Sequence, residues 1–135
     1  MNEYGSKAGF WFGLAALIQS VYYIITGLWA QVHIESFMWV TGPKTDIWLV
    51  KTVGVLIIVI GIALLTARIR KHYCYEIIVL AMGAAIGLII IDIYYVSIGR
   101  ISPIYLLDAV AELILLGMWI TGLVKDYSIR GQTRP

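Results

Sequence analysis

The chain has 135 residues, of which 61% are hydrophobic and only 13% are charged, whereas soluble domains carry roughly 25% charged residues. This composition excludes an ordinary soluble domain and predicts a membrane protein. A net charge of +2 without a basic stripe excludes nucleic acid as a partner, and the single cysteine, Cys74, excludes an internal disulfide and a cysteine-rich metal centre.

Four apolar segments follow one another along the chain, and each is close to the roughly 20 residues that a membrane-spanning helix needs. We expect the first segment to stay as a span, because it ends in aromatic residues and not at the small-residue cleavage site of a signal peptide. The predicted fold is all-α: a polytopic membrane protein in which residues 1–135 form one four-transmembrane-helix bundle. The predicted spans are residues 8–29, 46–67, 75–96 and 103–124.

The first span carries a polar stripe at helical spacing, formed by Gln19, Tyr22 and Tyr23. The connection after it, residues 30–44, contains the run IESFMWV, which predicts a short interfacial helix that serves either as a membrane-surface anchor or as a lid over a pocket. His33 and Glu35 in this loop are better explained as solvated residues than as metal ligands, so no metal site is predicted.

The second span has a basic residue, Lys51, on one broad face with Gly54 and Gly61. The four-span plan and the run Trp48–Leu65 (WLVKTVGVLIIVIGIALL) resemble the small bacterial DoxX-like membrane proteins. The resemblance implies a four-helix bundle of the bacterial inner membrane. DoxX itself is associated with a thiosulfate:quinone oxidoreductase, but no cysteine or cofactor motif in this chain carries that activity over, and no cofactor is predicted.

The third span carries Asp92 near one end and a separate glycine pair, Gly83 and Gly87. This pair matches the GxxxG pattern through which membrane helices approach each other closely. It lies on a different face from Asp92, so we expect it to pack a helix and not to bind a ligand.

The fourth span carries Asp108 and Glu112 one i,i+4 step apart in the apolar run IYLLDAVAELILL. With a rise of about 1.5 Å per residue, Lys51, Asp92 and Asp108 lie at nearly one depth, and Glu112 lies one turn deeper. Charged side chains inside a membrane face the protein interior, which predicts a shared polar chamber. Three acids against one lysine leave two net negative charges if all are ionised, and protonation of a carboxyl group, penetrating water or a bound cationic group would neutralise them. The structural alternative is that Lys51 pairs with Asp92 or Asp108 only to hold the bundle together.

These residues define a candidate ligand-binding site in the outer half of the bundle. If the protein is an enzyme, Asp108 and Glu112 are its candidate acid and base, and Asp92 adjusts them. The whole predicted site consists of Asp92, Asp108, Glu112, Lys51, Gln19, Tyr22, Tyr23, Tyr95 and Tyr105.

Four functions remain open at this point. The first expectation is a protein that binds an amphipathic or cationic small molecule, or a lipid, in an acidic pocket lined by aromatic residues. The alternatives are a transporter coupled to protons or cations, an acid/base enzyme acting on a lipophilic substrate, and an accessory subunit of a membrane complex. The expected partners are membrane lipids and a hydrophobic or cationic small molecule, with a homodimer or a larger membrane complex also open.

The basic residues predict the orientation. Seven lie at the two chain ends and between the second and third spans, against two on the opposite side. The positive-inside rule then puts both termini in the cytoplasm of a protein that crosses the inner (plasma) membrane several times. The seven are Lys7, Arg68, Arg70, Lys71, Lys125, Arg130 and Arg134, and the two are Lys44 and Arg100.

Overall fold

The computed structural model describes residues 6–132, and that part of the chain contains helices and no strands. Four of the five helices are long and apolar enough to cross a membrane, so the predicted all-α fold with four spans is confirmed. The elements are α1 (Ser6–Val32), α2 (Ile34–Thr41), α3 (Ile47–Arg70), α4 (Tyr75–Ser97) and α5 (Tyr105–Gln132).

The helix ends lie within a few residues of the expected positions, with one difference at the end of the fourth span, and the short helix expected in the run IESFMWV forms as α2. The α5 helix continues to Gln132, beyond the predicted end at 124. The short α2 helix forms inside the predicted loop, and His33 caps it: its Nδ1 atom accepts a hydrogen bond of 3.2 Å from the Ser36 backbone N–H. His33 therefore stabilises a helix start, as N-cap acceptors do.

The α1 helix is the centre of the bundle and packs along both α3 and α5. The backbones of α1 and α3 approach each other closely at their glycines. A Cβ atom at Gly27 would lie 2.5 Å from the Gly54 carbonyl oxygen, and one at Gly61 would lie 3.0 Å from the Ser20 carbonyl oxygen. Glycines permit this approach because they carry no side chain, which is the usual way in which membrane helices pack closely.

The packed core lies at the end of the bundle that holds the chain termini. Phe12 stacks at tilted angles on Trp119 and Tyr73, with ring centroids 5.9 Å and 5.8 Å apart. A Cβ at Gly122 would lie 2.6 Å from the Phe12 ring, so this glycine makes room for the ring between α1 and α5. Leu64 completes the core, which fills the interior of this half.

The α3 and α4 helices make little contact with each other. Leu64 of α3 and Ile78 of α4 belong to the same core. Towards the opposite end, which we call the α2 end, α3 follows α1 while α4 follows α5. The facing residues Leu49, Val53 and Ile91 are exposed there, so the two helices leave a gap between them.

The glycine pair of α4 faces open space. Within residues 6–132, no atom lies within 4 Å of a Cβ built at Gly83 or Gly87. This pair therefore packs against no other helix of the chain that the structure describes, in contrast to the helix contact expected from its GxxxG spacing.

The contact between α1 and α3 predicts that Gly27→Ala destabilises the protein. The new methyl group must displace the backbone of α3, and overpacking of this kind costs about 1–3 kcal/mol. The matched control is Gly83→Ala, which adds the same methyl group to open space and should leave the free energy of unfolding within ~0.5 kcal/mol of the wild type. Denaturant titration in detergent micelles measures both values, and equal stabilities of the two variants would contradict the packing.

Candidate binding site

A cavity of about 310 Å³ lies at the α2 end of the bundle. It is bounded by α1, α3, α4 and α5, and α2 covers it. Three acidic side chains and three tyrosines line it together with mostly apolar residues. The acids are Asp92, Asp108 and Glu112, and the tyrosines are Tyr22, Tyr23 and Tyr105.

Two consecutive tyrosines of α1 donate hydrogen bonds to the two acids of α5. The Tyr22 hydroxyl donates to Oδ1 of Asp108, and the Tyr23 hydroxyl donates to Oε2 of Glu112 at 3.1 Å. The two carboxyl groups lie one helical turn apart on one face of α5, so α1 presents one hydroxyl to each. These bonds hold both acids in the bundle interior.

Two carboxyl oxygens in the cavity have no hydrogen-bond partner among the described residues. Glu112 is fully buried, and its Oε1 atom has no hydrogen-bond partner among the described residues. Asp92 is 3% exposed, and its Oδ2 atom has none either. Buried polar atoms in folded proteins are nearly always paired, so two unpaired carboxyl oxygens in one cavity indicate a site that accepts a donor.

Asp92 of α4 and Asp108 of α5 line the same cavity, with Glu112 one helical turn further along α5. An ionised carboxyl group only accepts hydrogen bonds, whereas a protonated one can donate. A hydrogen bond between two of these carboxyl groups would therefore require a proton on one of them.

Lys51 lies outside the cavity and does not balance these acids. Its backbone carbonyl accepts a hydrogen bond of 2.5 Å from Nε2 of Gln31. Within residues 6–132 its side chain forms no ion pair with Asp92 or Asp108. The cavity thus contains acidic groups and no basic side chain among its lining residues.

Gln19 and Tyr95 also lie outside the cavity lining. Gln19 is fully buried: its Nε2 atom donates to the Ala81 carbonyl at 3.0 Å, and its Oε1 atom accepts from Trp119 Nε1 at 2.7 Å. Tyr95 packs edge-on against Tyr94, with ring centroids 5.1 Å apart. Gln19 therefore joins three helices beneath the cavity.

The α2 helix forms the cover of the cavity at the α2 end. Phe37 is buried, lines the cavity and packs edge-on against Trp29 at 5.4 Å between centroids. Lys44, in the connection after α2, lies with its Nζ atom 5.0 Å from the centre of the Tyr105 ring, and burial lowers the pKa of this lysine. The sequence left two roles open for the run IESFMWV, a membrane-surface anchor and a lid. In the structure Phe37 of this run forms part of the cavity wall, whereas Trp39 is 86% exposed.

Apolar residues of α3 and α4 form the remaining side of the cavity. Leu49 and Val53 of α3 and Ile91 of α4 line it, and each is about half exposed. They stand on both sides of the gap between these helices. The cavity therefore opens sideways, towards the position that lipid occupies around a membrane protein. The chain pattern did not indicate this wall, because apolar residues on a span look alike whether they face lipid or a cavity.

The structure thus sorts the predicted site into two groups. It brings together Tyr22, Tyr23, Asp92, Tyr105, Asp108 and Glu112, and it leaves Lys51, Gln19 and Tyr95 outside the cavity. In the part of the chain that the structure describes, no three His, Cys, Asp or Glu side chains are arranged so that they could hold a metal ion.

Fold and cavity together define a small helical protein that crosses the membrane several times and has an acid-lined cavity in one half. Comparisons with protein-family models, with curated proteins and with solved structures gave no match to this chain. The resemblance to DoxX-like proteins therefore stays a prediction from the sequence.

The tyrosine bonds predict that Tyr23→Phe destabilises the fold. The substitution keeps the ring but removes the only hydrogen-bond donor that Glu112 has among the described residues, and a buried acceptor without a partner costs about 1–3 kcal/mol. Tyr94→Phe is the control, because Tyr94 is exposed and should change the free energy of unfolding by less than ~0.5 kcal/mol. If Tyr23→Phe unfolds at the same denaturant concentration as the control, the bond to Glu112 is not stabilising.

Proposed function

We propose that the protein binds a cationic amphipathic molecule in this cavity. The observation that carries the proposal is the pair of unpartnered, buried carboxyl oxygens of Asp92 and Glu112 in a cavity without a basic side chain. A positively charged group would satisfy them and neutralise the excess negative charge. Buried charges in proteins are paired with opposite charges for the same reason.

Aromatic rings support a cation as the charged part of the ligand. Tyr22 and Tyr23 line the cavity beside the three acids, whereas the Tyr105 ring already has Lys44 Nζ 5.0 Å from its centre. The face of an aromatic ring attracts a cation, and this attraction increases when water is excluded. An ammonium group at this position would combine ion pairing with contacts to ring faces.

The apolar wall supports a ligand with a hydrocarbon part. At about 310 Å³, the cavity is at the small end of the range for ligand pockets, which is roughly 300–1,000 Å³. It has room for a headgroup and a short part of a chain. The rest of an alkyl chain would leave through the gap between α3 and α4, past Leu49 and Ile91, into the bilayer.

The proposed orientation places the cavity in the outer half of the membrane. Arg68, Arg70 and Lys71 lie at the end of the bundle that holds the chain termini, away from the cavity. By the positive-inside rule this end faces the cytoplasm of the inner membrane. The ligand would then enter from the outer leaflet.

Exchange of a cation against a proton is a second candidate, and the presence of three acids in one cavity favours it. Transport also needs a route to the other side of the membrane. The half of the bundle beyond the cavity is filled by Phe12, Leu64 and Trp119, which are fully buried, so binding is supported better than transport. No contact among residues 6–132 favours the enzyme, which stays a prediction from the sequence. The accessory subunit also stays a prediction, and the glycine pair Gly83 and Gly87, which faces open space, is the surface on which it would dock.

Binding of dodecyltrimethylammonium, a quaternary ammonium ion with one alkyl chain, tests the proposal. We expect it to raise the melting temperature of the wild-type protein in nanodiscs of uncharged lipid. The double variant Asp92→Asn, Glu112→Gln should bind at least about tenfold more weakly, because the loss of an ion pair or charged hydrogen bond of about 1.4 kcal/mol corresponds to a factor of ten.

Two controls make the result specific. Glu76→Gln removes an exposed carboxylate of α4 at the opposite end of the bundle and should bind the probe like the wild type. Dodecyl maltoside has the same chain on an uncharged headgroup and should not raise the melting temperature. Equal stabilisation by dodecyltrimethylammonium and dodecyl maltoside would contradict a cation site. Equal binding of the probe by the double variant and by Glu76→Gln would contradict it as well.

A further inference from the structure

A second depression lies at the end of the bundle that holds the termini, between α1 and the start of the turn after α3. Its volume is about 280 Å³. On the α1 side it is lined by Gly13 and apolar residues, and on the other side by Arg68, Lys71 and Tyr73. It is separate from the acidic cavity, with which it shares no lining residue.

The side chains in this depression are held in place by the fold. A Cβ at Gly13 would lie 3.0 Å from the Tyr73 hydroxyl oxygen and 3.5 Å from Arg68 Nε, so the glycine lets both side chains lie across α1. Tyr73 is buried, which raises the pKa of its hydroxyl although the neighbouring Arg68 acts in the opposite direction. The hydroxyl therefore stays a neutral hydrogen-bonding group at neutral pH.

The charge of the depression is positive and is not balanced within the described chain. Nε of Arg68 is buried without a hydrogen-bond partner. Among residues 6–132, neither Arg68 nor Lys71 forms an ion pair with a carboxylate. A guanidinium group with a free N–H and an ammonium group beside it are the donors that phosphate groups prefer.

An apolar surface continues from this depression along α1. Leu17 lines both the depression and a shallow groove that runs on over Val21 to Ile25. From Gly13 to Ile25 the helix rises about 18 Å, which matches one leaflet of a hydrocarbon core about 30 Å thick. Every span has a lipid-facing surface, but this one ends at a cluster of basic side chains.

We propose that Arg68, Lys71 and Tyr73 form a binding site for an anionic phospholipid, whose phosphodiester headgroup lies in the depression. Its acyl chain lies along the stripe of α1 that contains Leu17, Val21 and Ile25. The groove favours a lipid over free phosphate, because only a lipid has an acyl chain that would occupy it. Basic pockets between spans bind anionic headgroups by the same combination of charge and position. The headgroup depression shares no lining residue with the cation site, whereas the groove for the acyl chain shares Tyr22 with it.

Phosphatidylglycerol added to the protein in an uncharged detergent tests this site. We expect it to raise the melting temperature above the value with phosphatidylcholine of the same chains, and a lipid adduct should be visible by native mass spectrometry. Arg68→Gln should weaken phosphatidylglycerol binding about tenfold, because a charge-assisted hydrogen bond is lost. Lys71→Gln should weaken it in the same direction. Because Lys71 is exposed, we expect Lys71→Gln to fold normally. It therefore tests the site even if Arg68→Gln does not fold.

The matched control is Lys125→Gln, which removes the same charge at the same end of the bundle from α5 and outside the depression. It should bind phosphatidylglycerol like the wild type. If it loses as much affinity as Lys71→Gln, the lipid responds to total charge and the site is overturned. If glycerol phosphate without acyl chains stabilises the protein as strongly as the lipid, the depression binds a free anion, and that result also overturns the proposal.

Discussion

The pairing of two tyrosines of α1 with two acids of α5 is the interaction on which the site depends. A carboxyl group in a membrane span is costly unless it faces the protein interior and has partners. Tyr22 and Tyr23 supply such partners for Asp108 and Glu112. Because Tyr23 has one hydroxyl, Glu112 keeps one oxygen without a partner among the described residues, and Asp92 adds a second from α4. The bonds that make these acids tolerable thus leave two carboxyl oxygens unpaired in the cavity.

The glycines of α1 and α3 determine where the cavity opens. Gly27 and Gly61 bring these two helices into backbone contact along their length, while α4 follows α5. One edge of the bundle, between α3 and α4, is therefore open near the acids. A cavity that opens towards lipid suits ligands that dissolve in the bilayer.

The two ends of the bundle have opposite chemistry. One half holds the acidic cavity, and the other holds Arg68 and Lys71 beside a groove on α1. A tightly packed core around Phe12 and Trp119 separates them. The same helix, α1, contributes residues to both the cavity and the depression.

The sequence by itself determined the number of spans, their order and the common depth of the acids, because these follow from hydropathy and from a fixed rise per residue. It also identified Tyr22, Tyr23 and Tyr105 as candidates, since polar residues in an apolar helix stand out. Only the tertiary structure decided that Lys51 lies outside the cavity, that Gln19 is bonded to Trp119 and Ala81, and that Phe37 covers the acids. Those outcomes depend on how each helix is rotated about its axis and on which neighbour it packs against. The periodicity of residues along one helix carries no information about its contacts with another helix.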